Sequence, residues 1–414
     1  MQVAVVGAGI GGLAVAARLA QAGHQVALFD QFDTPQPVGS GLVIQPVGLD
    51  VLDQIGAGAA VQALGAPIER MLGFEVERGA RVLDVAYRHR GRGRAGLGAH
   101  RASLFAALWQ AAELAGVRLI LSARVLAAPL QEPPGGGPPL RLVLLESGLQ
   151  GPFDLVVDAS GARSTLSGLA GRTLPYGAIW GTVPWPDAAD LPRDQLSQRY
   201  LGARRMAGVL PIGCLPGSPQ PLAAIFWSMP LADLDTWAGR DLAGWKRQVT
   251  DLWPQMAAFL PSIGSVSQMT PARYQHATLR YPCQPALAII GDAAHRASPQ
   301  LGQGANMALL DAAALALAIA QAAQPEEALA RYAAMRRWHV RLYQGMSAAF
   351  TPQYQSDSRV LPIFRDRILA PLARIGPVRL LLAHLVSGDL IPPIAGAPFS
   401  LPAPQPPHSG QTAR

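Results

Sequence analysis

The order of apolar and polar positions predicts short buried strands that alternate with helices. Gln2–Val6 is an apolar run, and a glycine-rich stretch, a helix over 13–22 and a second apolar strand over 25–29 follow it. Further along, the apolar run Ala286–Ile290 precedes another glycine-rich stretch and a helix at Ala305–Ala323. Because strand, glycine-rich loop and helix follow one another twice, the pattern indicates an α/β fold.

A different pattern fills the region between these two units. From Tyr176 to Met269 the chain is rich in aromatic residues and loops, with strand-like runs at 210–212 and 223–229 and a helix predicted at Asp241–Phe259. We therefore expect a mainly β-sheet domain here. A longer helix is predicted at Pro325–Ala349, and several of its arginines are expected on a polar face: Arg331, Arg336, Arg337 and Arg341.

The C-terminal segment has its own character. Residues 368–394 are apolar, with sparse arginines and four prolines. We expect this segment to cap a substrate pocket, with a position on a membrane surface as the alternative. Residues 398–414 are rich in Pro, Gly and Ser and are predicted to be disordered.

The first glycine-rich stretch matches the dinucleotide-binding pattern G-x-G-x-x-G. Gly7 supports the tight turn, Gly9 admits a pyrophosphate, and Gly12 lets helix and strand pack closely. Asp30 ends the second strand, where a carboxylate can bind a ribose hydroxyl. The strand before, the helix after and this acid together predict a dinucleotide site.

The second stretch combines an acidic turn with a glycine-rich loop. Gly291-Asp292 ends a strand, and Gly302-Gln303-Gly304 opens a helix. The Asp292 carboxylate can accept hydrogen bonds from ligand hydroxyls, and backbone amides at a helix N-terminus suit an anion or a carbonyl oxygen. The simpler interpretation is a tight turn before a core helix.

Together the two stretches resemble the FAD-dependent aromatic hydroxylase family, of which para-hydroxybenzoate hydroxylase is the familiar member. That family pairs an N-terminal G-x-G-x-x-G with a late motif of the form GDAAH-x₃-P-x₂-GQG-x-N. Residues 291–295, Pro299, 302–304 and Asn306 fit this motif nearly letter for letter. The resemblance extends from Met1 to about Gln344.

The resemblance implies FAD as cofactor and a Rossmann-like FAD-binding domain. It also implies that NAD(P)H reduces the flavin, that O₂ adds at its C4a position, and that the resulting hydroperoxide hydroxylates an electron-rich aromatic or lipophilic substrate. No catalytic side chain is assigned, because the chemistry is centred on the flavin. The predicted cofactor-binding residues are Gly7, Gly9, Gly11, Gly12, Asp30, Gly41, Arg101, Val125, Asp292, Pro299, Gly302, Gln303, Gly304, Ala305 and Asn306.

The resemblance also implies how the chain divides. The FAD-binding domain is expected to be discontinuous, and an inserted, mainly β-sheet substrate domain and a helical C-terminal segment are expected beside it. The expected divisions are 1–67, 100–175 and 270–345 for the FAD-binding domain, 68–99 and 176–269 for the substrate domain, 346–397 for the C-terminal cap and 398–414 for the tail.

At one position the chain departs from the family. The family usually reads G-A-D-G-x-R-S after a strand, with the aspartate linked to both FAD and NAD(P)H. Here Ser160 takes the place of that aspartate, and Asp158 stands where glycine is usual. Either Asp158 takes over the role of the acid, or flavin reduction is slow without substrate; we expect a tight turn and the second outcome.

Composition narrows the class of protein. Half of the 414 residues are hydrophobic, which is enough for a large core. The net charge of +7 comes from scattered arginines that do not cluster with aromatics, which argues against a nucleic-acid partner. A local basic run over 88–94 is expected to be a solvated loop, with attraction of NADPH as the alternative. The sequence does not indicate an oligomeric state.

The compartment and the metal content are predicted from the cysteines and the N-terminus. Cys214 and Cys283 lack metal-ligand or redox spacing, and no metal site is expected. The N-terminal apolar stretch contains the glycine motif and lacks a basic region, so it does not resemble a signal peptide. Ala308–Ala323 is short and interrupted by Asp311, which favours a core helix over a membrane span. We therefore predict a cytoplasmic enzyme with free thiols.

Two alternatives to a monooxygenase remain at this point. One is a flavin-dependent reductase or dehydrogenase on the same scaffold. The other is a flavin-binding protein that is not an enzyme. A halogenase is disfavoured, because the chain lacks Trp-x-Trp-x-Ile-Pro and Lys246 is its single lysine.

Overall fold

The computed structural model describes residues 1–34, 39–88, 93–132 and 137–396. Most of the basic run at 88–94 and the whole tail at 398–414 lie outside the described residues. Within them the protein has an α/β fold, with a Rossmann-like parallel sheet, a large mixed sheet and a helical C-terminal region.

The strands belong to four sheets. In chain order they are β1 Gln2–Val6, β2 Gln25–Phe29, β3 Gly41–Ile44, β4 Ala66–Ile68, β5 Arg70–Glu75, β6 Arg81–Ala86, β7 Gly96–His100, β8 Arg118–Ile120, β9 Val125–Ala127, β10 Leu130–Gln131, β11 Leu140–Leu145, β12 Gly148–Phe153, β13 Leu155–Asp158, β14 Arg172–Pro184, β15 Gln195–Leu201, β16 Arg205–Pro211, β17 Leu222–Pro230, β18 Met269–Thr278, β19 Cys283–Gln284, β20 Leu287–Ile289 and β21 His295–Arg296.

The helices pack on these sheets or follow them. They are α1 Ile10–Gln21, α2 Pro46–Gln54, α3 Gly58–Leu64, α4 Arg101–Leu114, α5 Leu231–Asp235, α6 Leu242–Leu252, α7 Gly304–Gln321, α8 Pro325–Tyr354, α9 Leu361–Phe364, α10 Ala370–Leu372 and α11 Gly376–Ser387. A π-helical turn, Arg365–Leu369, joins α9 to α10.

The first sheet places the two glycine-rich stretches side by side. Its strand order is β19-β20-β13-β1-β2-β8, and β1, β2, β13, β20 and β8 run parallel. Apart from the edge strand β8, their side chains are almost all buried, as expected of a parallel sheet covered on both faces. Helices α1, α4 and α7 form the main apolar core with it.

Helix α7 is the central core helix. In the described part of the chain it is the one unbroken helix long and apolar enough to cross a membrane, but 72% of that window is buried inside the protein. Gly11 lets α1 approach it closely, because a Cβ there would lie 3.2 Å from the Cβ of Ala308. The position of α7 is therefore fixed by packing.

The second large sheet has eight strands in the order β21-β18-β14-β17-β16-β15-β5-β6. One of its faces carries a core of its own, into which α6 and the 3₁₀ helix Pro254–Phe259 pack. The predicted helix at Asp241–Phe259 is thus shorter than expected, since α6 ends before Pro254, which cannot continue it.

The eight-stranded sheet does not coincide with the expected substrate domain at residues 99 and 269. Strand β7 pairs with β3 and β4 in a three-stranded sheet and not with the eight-stranded one. Strand β18 belongs to the eight-stranded sheet along its length. The division at 99 and 269 remains a proposal, and this sheet would move its second boundary to about the end of β18.

The long helix α8 does not present all its arginines to solvent. Arg331 is exposed and pairs with Glu327, whereas Arg336 is 2% exposed. The expectation of a polar face is therefore wrong for Arg336, because a buried carboxylate on α7, Asp311, pairs with it.

Candidate functional site

The predicted site residues lie where the parallel strands end. The glycine-rich loop follows β1, Asp30 follows β2, residues 159–164 follow β13, and Gly291-Asp292 follows β20. Because these strands are parallel neighbours, all four loops meet at the carboxyl edge of the sheet. Crevices at this edge are where open α/β sheets bind ligands.

The first loop is tightly constrained at two glycines and open at a third. Gly7 has φ +99°, and a Cβ there would lie 2.7 Å from the carbonyl oxygen of Ala159. A Cβ on Gly12 would lie 1.8 Å from the carbonyl oxygen of Gly7. A Cβ on Gly9 would meet nothing within 4 Å. The loop is therefore closed toward the protein and open toward a ligand at the N-terminus of α1.

Asp30 supports the glycine-rich loop with its side chain. The Ala8 amide donates to Oδ2 of Asp30 at 2.5 Å, and the Phe32 amide donates to Oδ1 at 3.3 Å. The Ala123 amide donates to the backbone carbonyl of Asp30, and Val125 follows two residues later in the same segment. Asp30 and Val125, both predicted to bind the cofactor, thus lie on neighbouring segments.

Arg101 and Asp292 lie close enough for their charges to interact at this edge of the sheet, and we call the crevice there the cleft. Both side chains are accessible to solvent, yet protein surrounds both. Desolvation raises the pKa of Asp292, and the nearby charges of His295 and Arg101 only partly offset it. Desolvation likewise lowers the pKa of Arg101. Groups that are both accessible and desolvated fit a ligand with hydroxyl groups and negative charge.

The first amides of α7 lack acceptors within the helix, as at any helix N-terminus. Pro299 starts a 3₁₀ turn that ends at Gly302, where φ is +62°. Helix α7 then begins at Gly304 without a side-chain cap. Gly304 has nothing within 4 Å of a built Cβ. The amides of Gly304 and Ala305 can therefore meet an acceptor oxygen of a ligand.

The side chains of Asn306 and Gln303 already have protein partners. Asn306 is fully buried; its Oδ1 accepts from the Gln45 amide, and its Nδ2 donates to the carbonyls of Val43 and Gly302. Gln303 donates to the carbonyls of Leu385 and Val386 in α11. Asn306 can therefore support a cofactor site only indirectly, by holding the Gly302 loop in place.

Gly41 and its neighbours connect the nucleotide domain to the large sheet. A Cβ on Gly41 would lie 2.2 Å from Cγ2 of Ile212. Ser40 donates to the Gly181 carbonyl, and its hydroxyl lies 2.9 Å from the hydroxyl of Thr182. The face of β14 that carries Thr182 is therefore the face directed at the nucleotide domain.

Strand alternation places two aromatic residues on that same face. Trp180 is two residues before Thr182, so it points the same way. Its Nε1 donates to the hydroxyl of Tyr274 on β18 at 2.8 Å, and its ring lies 4.5 Å from that of Phe226. Burial raises the pKa of Tyr274 to about 12, with Arg101 close enough to act against the shift. The cleft thus has an aromatic wall with one protonated hydroxyl.

Ser160 and Asp158 form a closed turn beside the glycine-rich loop. Asp158 is fully buried; its Oδ1 accepts from the Ser160 amide at 3.1 Å and from the Ser160 hydroxyl at 2.6 Å, and its Oδ2 accepts from the Ser164 hydroxyl. The turn Gly161–Arg163 packs against Gly291–Ala293. The Asp158 carboxylate is thus directed into the protein and not into the cleft.

A buried ionic cluster lies directly behind Asp292. Asp311 accepts from the Gly291 amide at 2.8 Å, and its oxygens lie 2.6 Å from Nε2 of His295 and 2.7 Å from Nε of Arg336. Burial alone would raise the pKa of Asp311, but His295 and Arg336 outweigh it and hold the pKa well below its usual range. The cluster fixes the turn that carries Asp292.

Sequence reasoning did not assign this cluster or the Trp180–Tyr274 pair to the site. The signal for the cluster was Asp311, a single acid in an apolar helix, since such residues are rarely buried without a partner. Tyr274 carries no comparable signal, because its role depends on which strand faces which domain.

A cavity of about 470 Å³ lies on the other side of the cluster, between β18 and α8. Its lining includes Arg280, Tyr281, Arg337 and Arg341, none of which is a predicted cofactor residue. Within the described ranges, no group of three or more His, Cys, Asp or Glu side chains could hold a metal ion. The cleft at the carboxyl edge remains the candidate site.

The cleft fits an extended dinucleotide such as FAD. The open glycine loop suits a pyrophosphate, Asp30 and Val125 suit an adenosine, Asp292 and Arg101 suit the polyol and phosphate region, and the α7 amides suit a ring carbonyl. No other residue type would fit at Gly7 or Gly12 without displacing backbone.

Comparison with known proteins gives a family match over most of the chain. A family model described as "FAD binding domain" matches residues 1–344. The chain is 28% identical over 380 residues to a probable 2-heptyl-3-hydroxy-4(1H)-quinolone synthase, AqdB2, of Rhodococcus erythropolis, covering 90% of this chain and 91% of that protein. It is 28% identical over 352 residues to the aurachin C monooxygenase/isomerase of Stigmatella aurantiaca, covering 81% and 85%.

Solved structures share the fold at low sequence identity. A variant of Klebsiella pneumoniae HpxO complexed with FAD superposes with a TM-score of 0.77 at 21% identity, covering 94% of this chain and 100% of that one. PqsL of P. aeruginosa in complex with 2-aminobenzoylacetate superposes with a TM-score of 0.75 at 20% identity, covering 88% and 99%.

Proposed function

The chain belongs to the FAD binding domain family as an FAD-dependent monooxygenase, and we propose that it hydroxylates a lipophilic, electron-rich aromatic ring bound against Trp180 and Tyr274. FAD is its cofactor and NAD(P)H its co-substrate. One oxygen atom of O₂ enters the ring, and the other leaves as water with the electrons of NAD(P)H. Bound FAD supplies the redox chemistry, that is, acceptance of the hydride and activation of O₂.

The residues predicted from sequence to hold FAD keep that role in the proposal. Gly7, Gly9 and Gly12 leave room for the pyrophosphate, and Asp30 binds the adenosine ribose. Asp292 binds the ribityl chain, with Arg101 opposite it. The α7 amides donate to the ring carbonyl, where they stabilise negative charge without reorganising.

The Trp180–Tyr274 pair is the observation that carries the proposed substrate position. Tyr274 accepts from Trp180, and the described part of the chain provides no acceptor for its own hydroxyl hydrogen. With a pKa near 12 the hydroxyl stays protonated at neutral pH, so it can donate to an oxygen on the substrate ring. The Trp180 and Phe226 rings exclude water from the same space.

The substrate class is proposed from the relatives together with this wall. Two of them are named for a heptyl quinolone and for aurachin C. A fused ring with an oxygen substituent would meet the Tyr274 hydroxyl and the Trp180 ring at once. We therefore propose a 2-alkyl-4-quinolone or a related bicyclic ring as substrate.

The test uses purified, FAD-loaded protein with a panel of alkyl quinolones and substituted phenols. NAD(P)H oxidation, O₂ uptake and a product heavier by one oxygen atom should occur together. Tyr274→Phe should lower kcat/KM about 10-fold or more, since one hydrogen bond to the substrate is lost. Tyr281→Phe, at an exposed tyrosine outside the cleft, is the matched control.

A reductase would oxidise NAD(P)H and give a saturated product without stoichiometric O₂ uptake. A saturated product, or NAD(P)H oxidation without O₂ uptake, would contradict the monooxygenase proposal for that substrate. Equal kinetics in Tyr274→Phe and Tyr281→Phe would remove Tyr274 from the substrate site while leaving the reaction class intact.

The domain division and the compartment also belong to the proposal. We assign 1–67, 100–175 and 279–345 to FAD binding, 68–99 and 176–278 to the substrate domain, and 346–397 to the cap, with the second boundary of the substrate domain moved from 269 to the end of β18. Cys214 and Cys283 are both free, which supports a reducing, cytoplasmic location. The partners in this proposal are the substrate and O₂.

A further inference from the structure

The C-terminal helices expose an unusual concentration of apolar side chains. Among the described residues sixteen large hydrophobic side chains are exposed, and half of them lie within 360–381. Single exposed apolar residues are ordinary, but a contiguous group marks an interaction site. We call this group the apolar patch: Val360, Ile363, Phe364, Ile368, Leu372, Ile375, Leu380 and Leu381.

The shape of this segment suits binding to the surface of a membrane better than spanning the membrane. The helical run Leu361–Leu372 and helix α11 meet at a bend of 110°. The inner side of α11 is buried against the protein through Ala383, Leu385 and Val386. The outer side of α11 is therefore left to carry Leu380 and Leu381 of the patch, with Ile375 at the bend between the two helices.

The charges around the patch are positive. Arg359, Arg367, Arg374 and Arg379 are exposed. The one acid between 358 and 388 is Asp366, whose side chain is 1% exposed and is paired with Arg365 and Arg78. An apolar surface bordered by unopposed arginines complements anionic lipid headgroups above acyl chains.

A cavity beside the patch provides a place for a headgroup. It has a volume of about 250 Å³ and lies between β6 and the C-terminal helices. Arg374 and Arg379 line it, and neither has an ion-pair partner among the described residues. On its other side Asp84 is already paired with Arg70 and Arg81. The cavity therefore keeps an excess of positive charge, which suits a phosphate.

We propose that the apolar patch docks on the surface of an anionic phospholipid bilayer, with a lipid phosphate between Arg374 and Arg379. The patch side chains enter the acyl boundary, and the arginines stay at the headgroups. This goes beyond the hydroxylation proposal and does not depend on it. A lipophilic substrate would then reach the protein from the same bilayer.

The experiment is co-sedimentation of the full-length, FAD-loaded protein with vesicles. Phosphatidylcholine vesicles are compared with vesicles of phosphatidylcholine and phosphatidylglycerol. Binding is expected to the mixed vesicles, to weaken with added salt, and to be much weaker to phosphatidylcholine alone. Arg374→Gln/Arg379→Gln should lower partition roughly 30-fold, since each basic residue at a surface is worth about a factor of five.

Two further variants separate the patch from general charge. Ile375→Ser/Leu380→Ser keeps every charge and should still lower partition about 10-fold or more. Arg337→Gln/Arg341→Gln removes the same charge from exposed positions on α8 and should bind as the parent does. Flavin absorbance and thermal unfolding of each variant check that the fold is kept.

Equal binding to both kinds of vesicle, or parent-like binding by both patch variants, would overturn the proposal. So would self-association that Ile375→Ser/Leu380→Ser abolishes in the absence of vesicle binding, since the patch would then join two copies of this chain.

Discussion

At the scale of single residues, Ser160 and Asp158 show how an exchange of two positions changes a turn. The family's aspartate stands where Ser160 is, and its glycine where Asp158 is. Here the Ser160 hydroxyl donates to the buried Asp158 carboxylate, with 2.6 Å between the oxygens. An aspartate introduced at 160 alone would set two carboxylates against each other, so the family arrangement needs both exchanges together.

We predict that Ser160→Asp alone lowers the melting temperature, whereas Asp158→Gly/Ser160→Asp recovers much of the loss. If the family's coupling of nicotinamide to flavin reduction resides in this acid, the double variant should reduce its flavin faster with NADPH than the parent. Stopped-flow bleaching measures this rate. A large loss of rate in Asp158→Ala alone would instead mean that Asp158 already takes the acid's role.

A second residue-scale prediction concerns His339. Burial, with a contribution from Arg336, lowers the pKa of His339 from 6.5 to about 3. Between these values the unfolded chain binds a proton that the folded chain does not. The stability is therefore complete above pH 6.5 and falls as the pH drops toward 3, by up to about 1.4 kcal/mol per pH unit.

Urea unfolding at pH 7 and pH 5 should show this difference. The parent should lose about 2 kcal/mol more between these values than His339→Gln, which keeps a donor for the Gly388 carbonyl but does not titrate. His384→Gln, at an exposed histidine, should keep the parent's pH dependence. An identical pH dependence in parent and His339→Gln would contradict the assignment.

How far single residues could be predicted depends on what constrains them. Gly7 and Gly12 were predictable because a Cβ there would collide with backbone, which local sequence encodes. The hydrogen bonds from Gln303 to Leu385 and from Asn306 to Val43 were not predictable, because these acceptors lie 82 and 263 residues away along the chain. Local sequence does not carry that information.

At the scale of elements, the contact of α7 with α8 contains a buried ion pair within an otherwise apolar interface. Asp311 is fully buried and Arg336 is 2% exposed, and their atoms lie 2.7 Å apart. The sequence predicted both helices but placed Arg336 on a polar face, since helical spacing alone cannot distinguish a solvated arginine from a paired one. Helical spacing also failed to predict the end of α6. The helix ends at Leu252, and the one sequence signal for this end is Pro254.

We predict that Arg336→Met destabilises the protein by about 3 to 5 kcal/mol, because it leaves the Asp311 charge buried without its partner. FAD affinity should fall as well, since Asp311 also holds the Gly291 amide next to Asp292. Arg331→Met, at an exposed pair on the same helix, should change little. Chemical unfolding and FAD titration measure the two effects, and similar losses in both variants would count against the ion pair.

At the scale of the whole molecule, the cofactor cleft joins parts of the chain that are far apart in sequence. The glycine-rich loop and the Gly291-Asp292 turn meet only because β1, β13 and β20 are neighbours. The order of the two glycine-rich motifs along the chain, each after a strand, was enough to predict that these two loops lie together. The parallel pairing of β5 with β15 could not be predicted, because it joins strands far apart in sequence. The direction of Trp180 and Tyr274 could not be predicted either, because it depends on how the two large sheets face each other.

We predict that FAD at about 100 times its Kd stabilises the parent against unfolding by about 2.7 kcal/mol. Asp30→Ala and Asp292→Ala should each weaken FAD binding roughly 10- to 150-fold, through opposite ends of the cofactor, and so lose much of that stabilisation. Asp187→Ala, at an exposed aspartate outside the cleft, should behave as the parent does. Thermal unfolding with and without FAD measures this, and parent-like stabilisation in both cleft variants would remove the site assignment.

The hydrogen bonds from Gln303 to α11 have a thermodynamic consequence. Gln303 directly precedes α7, whose first amides face the cofactor, while α11 carries Leu380 and Leu381 of the apolar patch. If contact with a bilayer shifts α11 and changes FAD affinity by some factor, FAD must change bilayer affinity by that same factor. The fraction of protein on vesicles would then report whether the flavin site, on another part of the molecule, is filled.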